Sequence, residues 1–471
     1  MKIIHISAEC YPAAKAGGLA DVVGALPKYQ TALGHDATVI MPFYNGKFSR
    51  ENEFLKVFTG YAKLAHYDFE FNVLTLVKNT LGYNLFLIDI PGLLDRENIY
   101  SYHDDTERFI TFQIATLNWM NHREETPDIV HCHDQHTGFI PFMMSKVWDY
   151  RRFEQVPTVF TIHNGQYQGQ FGFEKLNYLP PFHSYFNGLI EWHKAINPLA
   201  AAIKSAWRVT TVSPSYMEEI GYSMNGMEEL LRRERSKSIG ILNGIDAEVW
   251  NPETDPMLEV NYNADTVDTG KKASKDALCK QFGLDPEKPL FTFIGRLVGE
   301  KGADVLPDIV YHVSKNYPGE QNILILGSGE KHIEGALLHL EKEFKGNYCS
   351  YIGYNEKLSH LIYAGADFLL MPSRVEPCGL NQLYALRYGT VPIVRRTGGL
   401  RDTVIDIGDD GFGICHDQCT TFDVEHSIHR AKILYKNKKA LKKVRSQMMK
   451  IDHSWTKAAN DYIELYQSLK N

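Results

Sequence analysis

Apolar and polar positions along this chain fall into two rhythms. Short apolar or β-branched runs occur at 2–7, 38–43, 71–77, 83–90, 129–134, 158–163, 209–213 and 239–242, most of them separated by stretches of helical period. Runs of that length with helices between them predict a mostly parallel sheet covered by helices. From 55 to 90 strand follows strand without a helix, which predicts an antiparallel excursion. The second half repeats the alternation more cleanly, with predicted strands at 290–294, 322–326, 348–352, 367–371, 391–394 and 413–415. Between the halves, Asn243-Gly244-Ile245-Asp246 and the polar turn-rich stretch 251–256 place a hinge. At the end, Trp455, Ala458, Ala459, Tyr462, Leu465, Tyr466 and Leu469 recur at helical spacing, predicting an amphipathic helix packed on a core.

With 471 residues the chain exceeds one ordinary core, so two domains of roughly 200 residues each are expected. The hinge divides them at 244/245. A hydrophobic share of 44% and a formal net charge of −7 describe a soluble chain with no long-range attraction for nucleic acid or an anionic membrane. Any anionic ligand must then be held by local cations. The seven cysteines are odd in number and include no Cys-x-x-Cys pair, which fits reduced thiols and a cytoplasmic location. Met1 runs straight into the first strand, and no apolar run approaches the roughly 20 residues that span a bilayer.

Two stretches echo each other. Gly17-Gly18-Leu19-Ala20-Asp21 follows the first strand, Gly398-Gly399-Leu400-Arg401-Asp402 follows the strand at 391–394, and each opens a helix. Strand, paired glycines and helix present backbone N–H groups to an anionic or hydroxyl-rich ligand. The echo therefore predicts two doubly wound α/β domains facing a cleft. Lys15 precedes the first pair, whereas Thr397 precedes the second, so the two loops differ in function.

Further chemistry lies at other strand ends. Gly295-Arg296 ends a strand and Lys301-Gly302 is expected to open the next helix; two such cations suit a diphosphate, Arg as a fork and Lys as a point charge. The segment Ser373-Arg374-Val375-Glu376-Pro377-Cys378-Gly379-Leu380 joins a strand to a helix near Leu380. Glu376 there can bind sugar hydroxyls or an oxocarbenium-like centre, while Gly379 and Leu380 offer N–H groups. Glu376 also has a plain reading as a capping acid. Cys378 lacks an evident histidine partner and reads as packing rather than a nucleophile. His131-Cys132-His133-Asp134-Gln135-His136 has closely spaced ligand types but no distant partner, so it reads as cleft lining rather than a zinc site. Thr161-Ile162-His163-Asn164 reads the same way, with His163 a sugar contact or a buried core histidine. No Asp-x-Asp triplet occurs, so no metal is expected on the diphosphate.

Taken together, these residues resemble the bacterial glycogen synthase and plant starch synthase family, retaining glucosyltransferases of the two-domain GT-B type in glycosyltransferase family 5. The resemblance spans essentially the whole chain. It is carried by the Lys15 loop, His133 to Gly138, Thr161 to Asn164, Thr210 to Pro214, Ile241 to Asp246, Gly295-Arg296-Leu297, Lys301-Gly302 and above all the block from 372 to 403.

That resemblance implies transfer of glucose from a nucleotide-glucose donor, usually ADP-glucose, to the non-reducing 4-OH of an α-1,4-glucan such as glycogen or a malto-oligosaccharide, with retention and without a metal or other cofactor. It assigns Lys15, Arg296 and Lys301 to the diphosphate and Gly18, Gly379 and Leu380 to backbone support of it. His163 and Glu376 would bind the glucosyl unit, with Asp21, Asn243 and Cys378 near the donor and Tyr354 against the adenine. Asp134, His136 and Asn164 would line the acceptor side, and the final helix would return to the first domain, giving 1–244 plus 453–471 for the first domain and 245–452 for the second. Three departures from the family pattern stand out: Gln135 where tryptophan is common, Asn381 where threonine is common, and Asn197 to Ala202 in place of a lysine- and glycine-bearing stretch. The alternatives are UDP-glucose as donor, another retaining GT-B transferase forming sucrose or a maltosyl phosphate, and a binding protein that has lost activity.

Overall fold

The computed structural model describes residues 1–470. It divides into two compact units, Met1–Leu242 joined by the C-terminal helix Trp455–Ser468, and Asn243–Ser454. The expected changes of domain were at 244/245 and 452/453.

The first unit is built on a sheet that has nine strands among the described residues. Its order is Ser238–Gly240, Arg208–Thr211, Thr158–Ile162, Ile129–His133, Lys2–Ile6, Asp36–Pro42, Asn84–Asp89, Tyr67–Leu76 and Phe54–Leu64. Every neighbouring pair is parallel except the last two, Asn84–Asp89 with Tyr67–Leu76 and Tyr67–Leu76 with Phe54–Leu64. The antiparallel excursion is therefore a hairpin added to a parallel sheet. Strand order reverses between Lys2–Ile6 and Ile129–His133. Ligands of open α/β sheets bind at the carboxyl ends on either side of such a reversal, and here those ends carry the Lys15 loop and Asp134.

Why the last helix returns to this unit follows from its stripe. Trp455, Ala458, Ala459, Tyr462, Ile463 and Tyr466 are buried together with Val22 and Leu26 of helix Gly18–Ala32 and with Ile3, Ile129 and Val159 of the sheet. Burial of side chains of this size stabilises by about 2 kcal/mol each, which fixes the helix against the one that opens at Gly18.

The second unit has a sheet of six strands among the described residues, all parallel, in the order Tyr348–Ile352, Asn322–Gly329, Leu290–Leu297, Phe368–Met371, Val391–Arg395 and Ile414–His416. Its order reverses between Leu290–Leu297 and Phe368–Met371. Arg296 lies at the end of the first of these strands, and the Ser373 to Leu380 loop follows the second. Lys301 does not open an α-helix as expected. It lies in a 3-10 turn, Gly299–Lys301, and the helix Leu306–Asn316 begins only after a second turn, Ala303–Val305. Gly302 between the turns has φ +68°, and a side chain there would run into the Pro372 carbonyl, so glycine is required at this approach.

Both units are thus doubly wound α/β, as the alternation of runs predicts. Among the described residues all cysteines are free, and no helix is long and apolar enough to cross a membrane.

Candidate active site

In the second unit the chemistry gathers around Glu376. Its carboxylate is 6% exposed, with Oε1 2.7 Å from Lys301 Nζ and Oε2 accepting from the Ser373 hydroxyl at 2.9 Å. Both oxygens are therefore engaged. The loop that carries it docks on the 3-10 turn: Arg374 N–H donates to the Glu300 carbonyl at 2.9 Å, and the Arg374 guanidinium bonds the Gly299 carbonyl and the Asp304 carboxylate. Glu300 itself sits 3.8 Å from Lys301 and 3.6 Å from Arg296, whose side chain is 60% exposed. Two cations thus face two carboxylates, Glu376 and Glu300, and Arg296 is the more exposed of the cations.

Downstream, Gln382 donates to the Cys378 and Gly379 carbonyls at 3.0 and 2.9 Å. A trans peptide sets N–H opposite C=O, so the N–H groups of Gly379 and Leu380 face away from Gln382. Gly379 has φ +73° and Leu380 precedes helix Asn381–Arg387 with no side-chain cap, leaving first-turn amides unsatisfied by the helix itself. Burial pushes the Cys378 thiol up to about 12, so it is not a thiolate at neutral pH. Asn243 Oδ1 is buried without a hydrogen-bond partner among the described residues. Tyr354 is 83% exposed. Asn381, the departure next to the loop, donates to the Ile294 carbonyl at 2.7 Å.

The second glycine pair is not a free amide loop. Gly399 N–H is spent on the Glu376 and Pro377 carbonyls at 3.1 and 3.2 Å, and Gly398 and Gly399 are buried against the 376–378 backbone. It is a buttress that shapes the Glu376 loop, because an added side chain would collide with the Cys378 carbonyl.

In the first unit Lys15 Nζ lies 2.6 Å from Asp21 Oδ1, and burial raises the Asp21 carboxyl against the opposing pull of Lys15. The loop between them is anchored by Glu9, a residue absent from the sequence-based candidates. Its Oε2 accepts from the N–H groups of Ala16 and Gly17 at 2.6 and 2.9 Å, while Oε1 accepts from the Tyr100 hydroxyl at 2.7 Å. Helix Gly18–Ala32 starts without a side-chain cap, and a methyl group at Gly18 would meet no atom within 4 Å. That glycine is not required by packing.

Asp134 and His163 come together. Asp134 has φ 57°, a strained backbone for a residue with a side chain, and its Oδ1 accepts from the His163 N–H at 2.7 Å and more weakly from Asn164 N–H at 3.5 Å. Burial raises the Asp134 carboxyl to about 7. His163 is 8% exposed, lowered by burial to about 3, and bonded through Nε2 to His133 Nδ1 at 3.0 Å. His136, partly exposed, stacks on Tyr100, ring centroids 4.6 Å apart, and so packs on the residue whose hydroxyl donates to Glu9. Asn164 caps its own turn by accepting from Gln166 N–H.

His131 and His133 correct the sequence reading. Both are fully buried, bonded to other imidazoles, hydroxyls or ring nitrogens, and line no cleft. With His5 they form a group whose ligating atoms approach within 4.8 Å of one another. The departure at 197–202 has a local explanation: Asn197 Oδ1 caps helix Pro198–Ser205 by accepting from Ala200 N–H at 2.9 Å, and its amide donates to Gln168.

The starch synthase catalytic domain model matches residues 2–233, and the glycosyl transferases group 1 model matches residues 274–447. The chain is 56% identical over 466 residues to a glycogen synthase of Flavobacterium johnsoniae, covering 99% of this chain and 98% of that protein. It is 38% identical to a glycogen synthase of Rhodospirillum rubrum, covering 100% of this chain and 98% of that protein. Among solved structures, the catalytic domain of starch synthase IV from Arabidopsis thaliana bound to ADP and acarbose superposes with a TM-score of 0.89 at 31% identity, covering 100% of this chain and 99% of that one.

Proposed function

The chain belongs to the glycogen synthase and starch synthase family of GT-B hexosyltransferases, and from that premise we propose that its donor is ADP-glucose and that it extends the non-reducing 4-OH of an α-1,4-glucan with retention at the anomeric carbon. The observation that carries this reading is the engagement of both Glu376 oxygens by Lys301 and Ser373 at the carboxyl ends of two strands flanking the reversal of order. A carboxylate so occupied suits a fixed acceptor for glucosyl hydroxyls better than a covalent nucleophile. Retention then follows if the acceptor attacks the face that the diphosphate leaves.

The bond from the anomeric carbon to the diphosphate oxygen breaks, the bond to the acceptor 4-oxygen forms, and the 4-OH proton passes to a phosphate oxygen of the departing ADP. Negative charge gathers on that diphosphate as it leaves. Arg296, Lys301 and Lys15 supply opposing charge, and the Gly379 and Leu380 N–H groups, turned away from Gln382, supply donors. Each preorganised donor of this kind is worth roughly 3 kcal/mol in the barrier. No step draws on a divalent cation, in keeping with a sequence that has no Asp-x-Asp triplet. Asp134 enters as support, holding the His163 main chain where the imidazole can meet a sugar hydroxyl. The starch synthase IV domain bound to ADP favours adenosine diphosphate as the leaving group.

Donor competition tests the assignment. With glycogen as acceptor and equal concentrations of ADP-glucose and UDP-glucose, each labelled in turn, label from ADP-glucose should dominate the glucan. Preference for UDP-glucose would overturn the donor, and no incorporation from either would overturn the reaction.

A further inference from the structure

A line of buried imidazoles in the first unit ends on His163. His5 Nε2 is 2.8 Å from Gln30 Oε1, His5 Nδ1 is 3.1 Å from His133 Nε2, and His133 Nδ1 is 3.0 Å from His163 Nε2. A second branch leaves the same glutamine. Gln30 Nε2 is 3.4 Å from the Tyr466 hydroxyl on the C-terminal helix, that hydroxyl is 2.6 Å from His131 Nδ1, and His131 Nε2 is 2.6 Å from Thr161 Oγ1. Gln30, His5, His131, His133 and Tyr466 have no measurable exposure.

Burial lowers all four histidines, His5 to about 4 and His163 to about 3, so each imidazole is neutral near pH 7. A neutral imidazole has one donor nitrogen and one acceptor nitrogen. In a line of such rings the choice made at one end passes to the other. With the Gln30 oxygen toward His5, His5 must carry its proton on Nε2 and accept on Nδ1. His133 then donates from Nε2 and accepts on Nδ1, and His163 donates from Nε2. On the other branch the Gln30 N–H donates to the Tyr466 oxygen, the Tyr466 O–H donates to His131 Nδ1, and His131 Nε2–H donates to Thr161.

We propose that Gln30 is a positioning residue that sets the tautomer of His163 through His5 and His133, and ties that choice to the C-terminal helix through Tyr466. A primary amide suits this position because it presents an acceptor to one branch and a donor to the other. The consequence, which rests on the reading of His163 as a glucosyl contact, is that Nδ1 of His163 is a lone pair available to a sugar hydroxyl. The close approach of His5, His131 and His133 serves this hydrogen-bond network rather than a metal ion.

The test uses the full chain with 15N-labelled histidine and long-range 1H–15N correlation, which separates the two ring nitrogens; the His163 and His131 signals are assigned by loss in His163→Gln and His131→Gln. In the wild type both rings should carry the proton on Nε2. Gln30→Met, which offers no acceptor, should leave His163 a mixture of tautomers and lower kcat about tenfold with little change in donor KM. Gln30→Glu should keep His163 in its Nε2–H form, because a carboxylate still accepts from His5, yet reverse His131, because its second oxygen accepts from Tyr466. A structural role alone would not separate the two rings. A wild-type His163 protonated on Nδ1, an unchanged His163 tautomer in Gln30→Met, or stoichiometric zinc in the purified protein would overturn the proposal. The wild-type spectrum decides the first point even if a variant fails to fold. None of the spectra depends on turnover, so failure of the relay and failure of the glucan-synthesis reading remain distinguishable.

Discussion

Lys301 Nζ and Glu376 Oε1 stand 2.7 Å apart although 75 residues separate them in the chain. The contact joins the two loops at the reversal of strand order, where the proposed diphosphate charge and the glucosyl unit meet the second unit. Lys301→Ala and Glu376→Ala should each lower kcat by about 100-fold or more, read from initial rates of glucan extension at saturating donor. Near-normal turnover in either variant would remove that residue from its role.

Glu9, itself buried, acts on the first-unit loop. Its carboxylate holds the amides of Ala16 and Gly17 and the Tyr100 hydroxyl, so Glu9→Ala leaves three donors unpaired. Losing hydrogen bonds to a charged acceptor costs about 2 kcal/mol or more. Urea unfolding should show that loss, and the donor KM should rise because Lys15 and Gly18 lose their anchor. Unchanged stability would mean that the loop holds its shape by other contacts.

The two glycine pairs predict opposite outcomes for the same substitution. Gly399→Ala places a methyl group against the Cys378 carbonyl, so it should destabilise by about 1–3 kcal/mol and disturb the Glu376 loop. Gly18→Ala meets no atom within 4 Å and should leave stability within about 0.5 kcal/mol while raising donor KM. A silent Gly18→Ala would contradict its place beside the diphosphate.

That asymmetry also marks how far the sequence could be read. Paired glycines after a strand were legible as loops opening helices, and both do so. Which glycine amides the fold engages was not legible, because Gly399 donates to the carbonyls of 376 and 377 and Gly17 to the Glu9 carboxylate, partners set by the fold. Glu9 was hidden for the same reason: its partners are backbone amides and one tyrosine hydroxyl 91 residues away, and backbone donors leave no mark in residue type. The parallel sheets and final helix were legible because periodicity reports burial directly. His131 and His133 were misread because a period of two shows that they share a face but not what covers it, and Tyr466 covers it from the other end of the chain.

Acid should weaken the fold through the imidazoles. His5, His131, His133, His136 and His163 are all lowered by burial, so below the ordinary histidine value near 6.5 the unfolded chain binds protons that the folded chain refuses. Stability is thus full above about pH 6.5 and falls as pH drops toward the folded values, at about 1.4 kcal/mol per pH unit for each histidine. Asp134 has the opposite sign. Its folded carboxyl is raised to about 7, so its contribution falls as pH rises from about 4 to 7, and Asp134→Asn should gain stability relative to the wild type across that window. Urea midpoints at intervals from pH 4 to pH 8 check both signs, and a wild type that strengthens on acidification would contradict the first.

The bond formed in the product distinguishes a retaining α-1,4-glucan synthase from the alternatives. Incubating the purified chain with glycogen and radiolabelled ADP-glucose, without added divalent cation and with chelator present, should place label at non-reducing ends from which an exo-hydrolase specific for α-1,4 bonds releases it. Absence of label, or label that this hydrolase cannot remove, would contradict a retaining α-1,4-glucan synthase.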